Sequence, residues 1–258
     1  MIKKVAILST GSEIISGEIL DANSRFVAQI LTKNDILVGE HLTTDDDPKN
    51  LKSGLKFLLD NNSAVIITGG LGPTDDDQTR FMISEIINKE LIFDQISLNR
   101  IKERLDKKNI EVKENNKRQC LFPEGSIIIP NNNGTASGFI IESNNKTIAA
   151  LPGPPQENQS MVLENIIPYL INADFIYEQY KLRWEVINFP ESNLAEAITP
   201  IAKEYGIEEY IAYRIHKRDE KNKIVKCDLK INLPKDKFSK ETSQNIRSQV
   251  EEIIKNNI

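Results

Sequence analysis

One run of residues indicates the architecture of this chain: Thr68-Gly69-Gly70-Leu71-Gly72-Pro73-Thr74-Asp75-Asp76-Asp77. It follows the apolar segment Ala64 to Ile67, which is typical of a buried strand, and it precedes a helical pattern that begins near Thr79. In open α/β sheets, ligands bind at the carboxyl ends of the strands. The run therefore predicts an α/β domain with a ligand site at this turn.

The turn has the composition of an anion-binding loop. Glycines let backbone N–H groups approach an anion closely, and the N-terminus of the following helix adds roughly half a positive charge. We therefore predict that Gly69, Gly70, Gly72 and Thr74 bind a phosphate group.

The aspartates after the glycines indicate a metal. Adjacent carboxylates alone would repel phosphate, so Asp76 and Asp77 predict a divalent cation such as Mg²⁺ between them and the ligand. Glu13 follows the first predicted strand and is expected to complete the ligand set. The structural alternative is that Asp75 to Asp77 only cap the helix, because Asp is a favoured N-cap residue.

Residues 1–170 alternate short apolar runs with segments of 3.6-residue periodicity, which predicts a mostly parallel sheet with helices on both faces. Eleven of the twelve glycines lie at or before Gly153, and all of the net negative charge falls in this part. Residues 171–258 instead show the order β-α-β-β-α, typical of a small α+β domain. The sequence therefore predicts a domain of residues 1–170 and another of residues 171–258. The predicted strands of the first domain are 4–8, 64–67, 126–129, 138–141 and 146–151, and its predicted helices centre on 23–31, 51–59, 79–87 and 98–105.

Composition limits the classes of partner. The 258 residues carry a formal net charge of -5 with a pI near 5.3, so we expect neither nucleic acid nor an anionic membrane as a partner. The apolar stretch Val5 to Leu8 is too short for a signal peptide or a membrane span, which predicts a cytoplasmic protein. Cys120 and Cys227 lie far apart without a zinc-type spacing, and we expect both to be reduced and at least half-buried.

Several further motifs of the first domain, together with the glycine turn, match those of a known protein family. The chain resembles the competence/damage-inducible protein A (CinA) family, whose first domain is similar to the MoaB/Mog molybdopterin-binding fold. The matching motifs follow the family order over nearly all of the first domain: residues 11–19, Asn23, residues 68–79, residues 116–119, Asn131, residues 134–139 and residues 151–155.

The resemblance implies a three-layer MoaB/Mog-like domain. It also implies metal-dependent hydrolysis of ADP-ribose to AMP and ribose 5-phosphate, with Mg²⁺, Mn²⁺ or Co²⁺ as the metal. Asp76, Asp77 and Glu13 match the acidic positions of the family, and Asp77 and Thr79 match residues that follow the glycines in Mog-type sequences. We therefore predict these three acids as catalytic and metal-binding residues, and Thr79 as a substrate contact.

Other matched residues are predicted substrate contacts with plainer alternatives. Asn23 is assigned by motif position alone, and Lys117 and Arg118 are expected to neutralise phosphate, although such pairs often lie on a solvated face. A polar turn is expected to hold a ribose or base edge; its structural alternative is a plain hairpin turn. A rigid proline-glycine segment is expected to form a pocket wall; its structural alternative is a plain connection from a strand to a helix. These are Asn131, Gly134 and Thr135 in the turn, and Pro152 and Gly153 in the wall.

The chain departs from the family pattern at three places. Asp75 stands where the family commonly has lysine, which removes a cation beside the phosphate loop. Asp21-Ala22-Asn23 stands in place of Asn-Thr-Asn, and Lys117-Arg118 in place of Arg-Lys. Asp46 matches a family aspartate, whereas its neighbour Asp47 is expected to cap a helix.

The second domain resembles the KH-type middle domain of the family. KH modules grip nucleic-acid backbone through a GxxG loop, but Gly206 is the only glycine in this half of the chain. We therefore expect a packing role or a homodimer contact rather than nucleic-acid binding. Family members often carry a further C-terminal nicotinamide mononucleotide deamidase domain, and no deamidase activity is expected of residues 1–258.

Three functions follow as hypotheses. The first is the metal-dependent ADP-ribose hydrolase. The second is a molybdopterin-type binding or adenylyl-transfer protein that holds a pterin phosphate on the same loop. The third is a nucleotide sensor that binds ADP-ribose without turnover, which the missing cation at Asp75 would favour.

Overall fold

The computed structural model describes residues 2–216 and 226–257. The chain divides into two compact units, Met1–Ile176 and Tyr177–Ile258. The sequence-based boundary after residue 170 lies within the last helix of the first unit, Ile167–Asn172. No helix in the described part of the chain is long and apolar enough to cross a membrane.

The first unit contains a six-stranded sheet in the order β2-β1-β3-β8-β7-β6. Strands β2, β1, β3 and β8 run parallel, and β7 and β6 continue the sheet antiparallel. A separate antiparallel pair joins β4 to β5, which the sequence patterns did not predict. The strands are β1 Lys4–Thr10, β2 Leu37–Thr44, β3 Ala64–Thr68, β4 Leu91–Phe93, β5 Leu121–Pro123, β6 Ile127–Ile129, β7 Gly138–Ser143 and β8 Lys146–Leu151.

Helices cover both faces of this sheet, as the sequence predicts. A 3-10 helix, Glu114–Cys120, precedes β5, and a π-helical turn, Val162–Ile166, connects α6 to α7. The helices are α1 Ser12–Ile15, α2 Ala22–Lys33, α3 Pro48–Asn61, α4 Thr79–Ile87, α5 Gln95–Asp106, α6 Pro155–Met161 and α7 Ile167–Asn172.

Two apolar cores result from the alternation of side chains along the central strands. Val5 and Ile7 of β1 face the core built with α2, α6 and α7, whereas Ala6 and Leu8 face the core built with α3 and α4. All four residues are fully buried. The predicted three-layer α/β fold with a mostly parallel sheet is therefore confirmed.

The parallel pairing brings three strand ends together. Ser9 of β1 lies opposite Thr68 of β3, and Thr68 lies opposite Leu151 of β8. The segments that follow these strands are the Glu13 region, the glycine turn and the Pro152-Gly153 segment, so all three emerge at one edge of the sheet.

Helix capping separates two roles for aspartate. Asp21 caps α2 by accepting the N–H of Ser24 at 2.9 Å, and Asp47 caps α3 by accepting the N–H of Lys49 at 2.8 Å. At α4 the N-cap residue is Gln78, which makes no side-chain capping bond, and no acidic residue lies in the first turn. Capping of α4 by Asp75, Asp76 or Asp77, the structural alternative, is therefore wrong.

The second unit has the predicted order β-α-β-β-α. Its strands form an antiparallel sheet in the order β10-β11-β9, and the apolar faces of its two long helices join the sheet in one buried core. Gly206 ends α8 in the left-handed conformation (φ 63°). The cationic residues Lys217, Arg218, Lys221 and Lys223 alternate with Asp219 and Glu220 in the sequence, a pattern that predicts a hairpin tip rather than a binding groove, and they lie outside the described residues. The elements are β9 Gln179–Ile187, α8 Glu191–Tyr205, β10 Ile211–Ile215, β11 Lys226–Pro234 and α9 Lys240–Asn257.

Candidate functional site

A cavity of about 330 Å³ lies at the edge of the sheet where β1, β3 and β8 end. Among the described residues that line it, five carry carboxylates and none carries a cationic side chain. The lining residues are Thr10, Gly11, Glu13, Asp46, Gly69, Gly70, Leu71, Gly72, Pro73, Asp76, Asp77, Gln119, Thr135, Ala136, Pro152, Gly153, Pro154 and Glu157. The predicted glycine turn, the three predicted acids and the predicted wall therefore share one cavity.

The first two residues of α4 hold four successive carbonyl groups of the glycine turn. Thr79 donates its hydroxyl to Gly69 O at 2.9 Å and its N–H to Gly70 O at 3.2 Å. Arg80 donates to Leu71 O at 2.8 Å and to Gly72 O at 3.4 Å. The turn is thus anchored through its oxygens.

This anchoring leaves two N–H groups available. In a trans peptide the C=O and N–H bonds point in opposite directions, so peptides whose oxygens face α4 direct their N–H groups the other way. The N–H groups of Gly70 and Leu71 have no hydrogen-bond partner in the described part of the chain. Both residues line the cavity, so their N–H groups are candidate donors to an anion bound there.

Two glycines are required by this geometry. Gly69 (φ 107°) and Gly70 (φ 66°) have backbone angles that residues with a Cβ rarely adopt. A Cβ on Gly69 would lie 2.6 Å from Thr10 O, and one on Gly70 would overlap the Thr79 hydroxyl. Glycine therefore allows the turn to pass directly against β1 and α4.

Asp77 closes the turn. Its carboxylate accepts the N–H of Gly72 at 2.7 Å, and it accepts both the N–H and the hydroxyl of Thr74 at 2.9 and 2.5 Å. Thr74 is therefore engaged within the turn and is not among the described residues that line the cavity. Asp77 has a structural role that the sequence did not predict, beside its predicted role as a metal ligand.

Asp76 is the more available of the two aspartates. Hydrogen bonding to the Thr74 side chain lowers the pKa of Asp76, so it carries a negative charge at neutral pH. Asp46 is occupied, because it accepts the Thr10 hydroxyl at 2.9 Å and the N–H and hydroxyl of Ser12 at 3.0 and 3.1 Å.

The acids do not form a ready-made metal cage. Among the residues that the structure describes, no group of three or more His, Cys, Asp or Glu side chains is placed to hold a metal ion. Glu13, Asp76 and Asp77 share the cavity without converging on one point in this way. The donor chemistry still suits Mg²⁺, which commonly takes one or two carboxylates together with phosphate oxygens of the ligand and water.

A second cavity of about 310 Å³ adjoins the first and shares Thr10, Glu13, Gly153 and Pro154 with it. Apolar side chains supply part of its wall. Asn23 also lines it and donates to Gly153 O at 2.7 Å, while its own side-chain oxygen is buried without a partner in the described residues. Asn23 therefore positions the predicted wall and retains one free acceptor.

The predicted basic pair lies outside the cavity. Lys117 forms a salt bridge with Glu114 at 2.8 Å, and Arg118 stacks over the Phe81 ring, 4.7 Å from its centroid. Arg118 also pairs with Asp75 at 3.4 Å, and the Asp75 side chain is fully exposed. The charge that departs from the family pattern is thus offset by Arg118, outside the cavity lining.

The polar turn after β6 is mainly structural. The Asn131 oxygen accepts the N–H groups of Asn133 and Gly134, and its amide donates to Ala136 O and Glu157. A Cβ on Gly134 would overlap the Glu157 carboxylate. These bonds occupy the polar atoms of Asn131, so the alternative of a local turn describes this residue better than a ligand contact.

Thr135 connects the main cavity to a basic one. It accepts a hydrogen bond from the buried Gln119 at 3.2 Å and lines both the main cavity and a cavity of about 250 Å³ on α5. Arg100, Arg104 and Lys107 line the latter, and Arg104 donates to the carbonyls of Asn132 and Asn133. Their spacing of three or four residues places them on one helical face.

Three residues of the site were not assigned a role from the sequence. Glu157 lines the cavity from α6, Gln119 supports Thr135 from the 3-10 helix, and Arg80 lies behind the glycine turn. For Gln119, its place in the matching motif was a signal. For Arg80 the signal was its position directly after Thr79, because the start of a helix after a glycine turn lies beside that turn.

Cys120 and Cys227 are free and buried, as predicted. Burial raises the pKa of the Cys120 thiol to about 11, so at pH 8 only roughly one molecule in a thousand carries a thiolate there. We expect Cys120 to resist iodoacetamide at pH 8 in the folded protein and to react in guanidinium chloride. Mass spectrometry of the labelled peptides measures both, and rapid labelling of Cys120 in the folded state would contradict the burial.

Comparisons with known proteins agree with the fold. The family model described as a probable molybdopterin binding domain matches residues 6–172. A CinA-like protein of Dictyoglomus thermophilum is 39% identical over 198 residues, which cover 76% of this chain and 48% of that protein. A putative competence-damage inducible protein of Clostridium novyi is 37% identical over 77% of this chain and 48% of its own length.

A solved structure adds to this similarity. The CinA protein of Thermoplasma acidophilum, described as having unknown function, matches with a TM-score of 0.59 and 26% identity. The match covers 68% of this chain and 99% of that one. This chain spans about half the length of the curated relatives it matches. The chain therefore belongs to the family of the probable molybdopterin binding domain, and its relatives are CinA-like proteins.

Proposed function

We propose that the first unit binds a phosphorylated ligand of the molybdopterin or nucleotide class, with one phosphate on the N–H groups of Gly70 and Leu71. The observation that carries this proposal is the pair of N–H groups without partners in the described residues, in a turn whose carbonyls are all held by Thr79 and Arg80. The family description, a probable molybdopterin binding domain, supports the same ligand class.

The adjoining cavity suits the ring of such a ligand. Ile14, Ile19 and Leu20 line it together with Pro154 and Pro155. Ile19 and Leu20 are among the most exposed large apolar residues described, and a planar heterocycle stacked there would remove apolar surface from water.

Adenylyl transfer to a bound pterin, or nucleotide sensing without turnover, would use this same arrangement. Both functions require the phosphate to be fixed and the ring to be positioned, and neither requires a water at the phosphate. The pocket geometry is compatible with both functions, so the ligand and the product distinguish them.

A second candidate function is the metal-dependent hydrolysis of ADP-ribose to AMP and ribose 5-phosphate. The observation that favours it is the set of five carboxylates around a proposed anion site with no cationic side chain in the described lining. These charges weaken the binding of a diphosphate, and its hydrolysis would require a divalent cation to offset them. Mg²⁺, Mn²⁺ or Co²⁺ would satisfy that requirement.

The residues that would hold such a cation are Asp76, Glu13 and Asp77. Of the two aspartates, Asp77 is the one whose carboxylate already accepts hydrogen bonds from Gly72 and Thr74. When bound, the ion supplies charge neutralisation and polarisation of the phosphoanhydride. The turn fixes the phosphate through its N–H groups. The Glu13 carboxylate has no hydrogen-bond partner in the described part of the chain, so it is able to orient a water molecule near the phosphate.

Two assays on one preparation test these functions. Isothermal titration calorimetry with ADP-ribose, AMP and a pterin phosphate measures binding, and chromatography after incubation with ADP-ribose and Mg²⁺, Mn²⁺ or Co²⁺ measures AMP. We expect ADP-ribose or the pterin phosphate to bind with a dissociation constant below about 1 mM, equivalent to about -4 kcal/mol.

The outcomes separate the candidates. AMP formed only with a divalent metal supports hydrolysis, whereas binding without AMP supports the binding or sensor function. An adenylylated pterin formed from ATP supports adenylyl transfer. Failure of every phosphorylated ligand to bind at millimolar concentration would overturn the proposed function.

A further inference from the structure

Arg80 is a buried cation directly behind the glycine turn. Its side chain is completely buried, and it is the largest fully buried side chain described. In the described part of the chain its hydrogen bonds go to two carbonyl oxygens, Leu71 O and Gly72 O, rather than to a carboxylate. Its Nε has no partner there.

Such a charge is costly to bury. Removing a guanidinium from water disfavours its charged form, and two neutral carbonyls compensate only part of the lost hydration. Burial lowers the pKa of Arg80 to about 10, and the nearby charge of Asp77 opposes this change. Arg80 therefore remains charged at neutral pH. Packing alone does not explain why a charged side chain is buried at this position.

The charge balance of the cavity supplies that reason. The described lining offers five carboxylates and no cationic side chain, and Lys117 and Arg118 are engaged elsewhere. Arg80 contacts the turn at Leu71 and Gly72, which themselves line the cavity. Its positive charge thus contacts the carbonyl side of the turn in which the N–H groups of Gly70 and Leu71 are available.

We propose that Arg80 is the positioning residue of the anion site: it turns the carbonyls of Leu71 and Gly72 away from the cavity and places a fixed positive charge behind the turn. This inference rests on the proposed function, because it assumes that the turn binds phosphate. It also names the ligand group, a phosphate or diphosphate that accepts backbone N–H groups while the guanidinium acts from behind.

A purely structural role predicts a different result. If Arg80 only anchored the turn to α4, its removal would lower thermal stability. If its charge also serves the anion, variants that lose the same carbonyl hydrogen bonds differ in affinity according to the charge at position 80. In the first case the affinity for an anion falls only as stability falls, whereas in the second case it follows the charge at position 80.

The experiment compares Arg80→Met, Arg80→Lys and Arg183→Met in the full chain. Arg183 is a matched control, because it also donates to backbone carbonyls, Leu182 O and Ile231 O, but lies in the second unit. Calorimetry with inorganic diphosphate at pH 7.5 and low salt, without metal, measures the dissociation constant, and differential scanning calorimetry measures the melting temperature.

We expect Arg80→Met to weaken diphosphate binding at least 10-fold and to lower the melting temperature, because the carbonyls of Leu71 and Gly72 lose their donor. Arg80→Lys keeps the charge and is expected to lose less affinity, and Arg183→Met to change it less than twofold. If Arg80→Met does not fold, Arg80→Gln replaces it in the comparison with Arg80→Lys, and equal affinities of these two would overturn the role of the charge.

The result also distinguishes the two proposals. If wild-type protein and Arg80→Met bind diphosphate equally tightly, this inference alone is overturned, and it is also overturned if Arg80→Lys and Arg80→Met lose equal affinity. Wild-type protein that does not bind diphosphate or any other phosphorylated ligand overturns the proposed function, and this inference with it.

Discussion

Gly70→Ala is expected to reduce the affinity for a phosphorylated ligand by about 100-fold, or about 2.8 kcal/mol, while the protein remains folded. The added methyl group would overlap the hydroxyl of Thr79, which is fully buried and has no room to move aside. The turn must then shift away from α4, and the N–H groups of Gly70 and Leu71 lose their common direction. Calorimetry with inorganic diphosphate measures the loss.

Gly125→Ala is the matched control for this substitution. Gly125 also has a positive φ (85°), but a Cβ there would have nothing within 4 Å. Both variants therefore share the backbone strain of about 1–2 kcal/mol, and only Gly70→Ala disturbs the turn. Full affinity in Gly70→Ala, or equal losses in the two variants, would show that this turn is not the phosphate site.

The second large effect is expected from the two aspartates, which have different tasks. Asp77→Asn replaces one carboxylate oxygen by an NH₂ group and so places a donor against the donors of Gly72 or Thr74. The turn opens, and we expect at least a 10-fold loss of diphosphate binding with or without metal. Asp76→Asn leaves these bonds intact, so metal-free binding should stay within about twofold of wild type.

A divalent metal extends this comparison. If the protein hydrolyses ADP-ribose, we expect Asp76→Asn to lower the metal-dependent rate at least 100-fold, because a negatively charged carboxylate that would bind the cation is lost. Calorimetry and chromatography of AMP on the same samples measure the two effects. Equal losses of metal-free binding in both variants would contradict the distinct roles of Asp76 and Asp77.

The sequence was informative where backbone conformation and hydrophobic pattern decide the structure. The glycine turn, the order of the strands in the chain and the two-unit architecture follow from local residue preferences, which act over a few residues. The short pair β4 and β5 escaped prediction, because three-residue strands such as Leu91–Phe93 carry too few residues to show a period.

Side-chain partners were harder to infer. Asp77 and Thr74 match a pattern that suggested ligand contacts, yet they bond to each other, because the turn folds back on itself over five residues. Lys117 and Arg118 were expected near phosphate, but they pair with Glu114 and Asp75 and are not among the described residues that line the main cavity. Such choices depend on the tertiary arrangement and leave no trace in residue spacing.

Arg80 shows the opposite case, a residue whose importance only the structure reveals. An arginine in the first turn of a helix would ordinarily be expected on the surface, because Arg is rarely fully buried unless paired. Its complete burial against Leu71 O and Gly72 O is a property of how α4 packs beneath the turn. Thr79, predicted as a substrate contact, likewise proves to hold Gly69 and Gly70.

The homodimer, the cytoplasmic location, the absence of nucleic-acid partners and the divalent metal stay predictions.

The second unit carries an intact core of its own, and Gly206 serves as the cap of α8. The basic cavity with Arg100, Arg104 and Lys107 shares Thr135 with the main cavity, so a ligand with a further anionic group has cations beside it.

The central claim is that the N–H groups of Gly70 and Leu71 bind the phosphate of the ligand. Titration of ¹⁵N-labelled protein with inorganic diphosphate, followed by NMR of the assigned amides, tests it most directly. We predict saturable shifts of the Gly70 and Leu71 amide resonances at the calorimetric dissociation constant, with the amide of Gly125 unchanged. Saturable binding that leaves both the Gly70 and Leu71 resonances in place would contradict the claim.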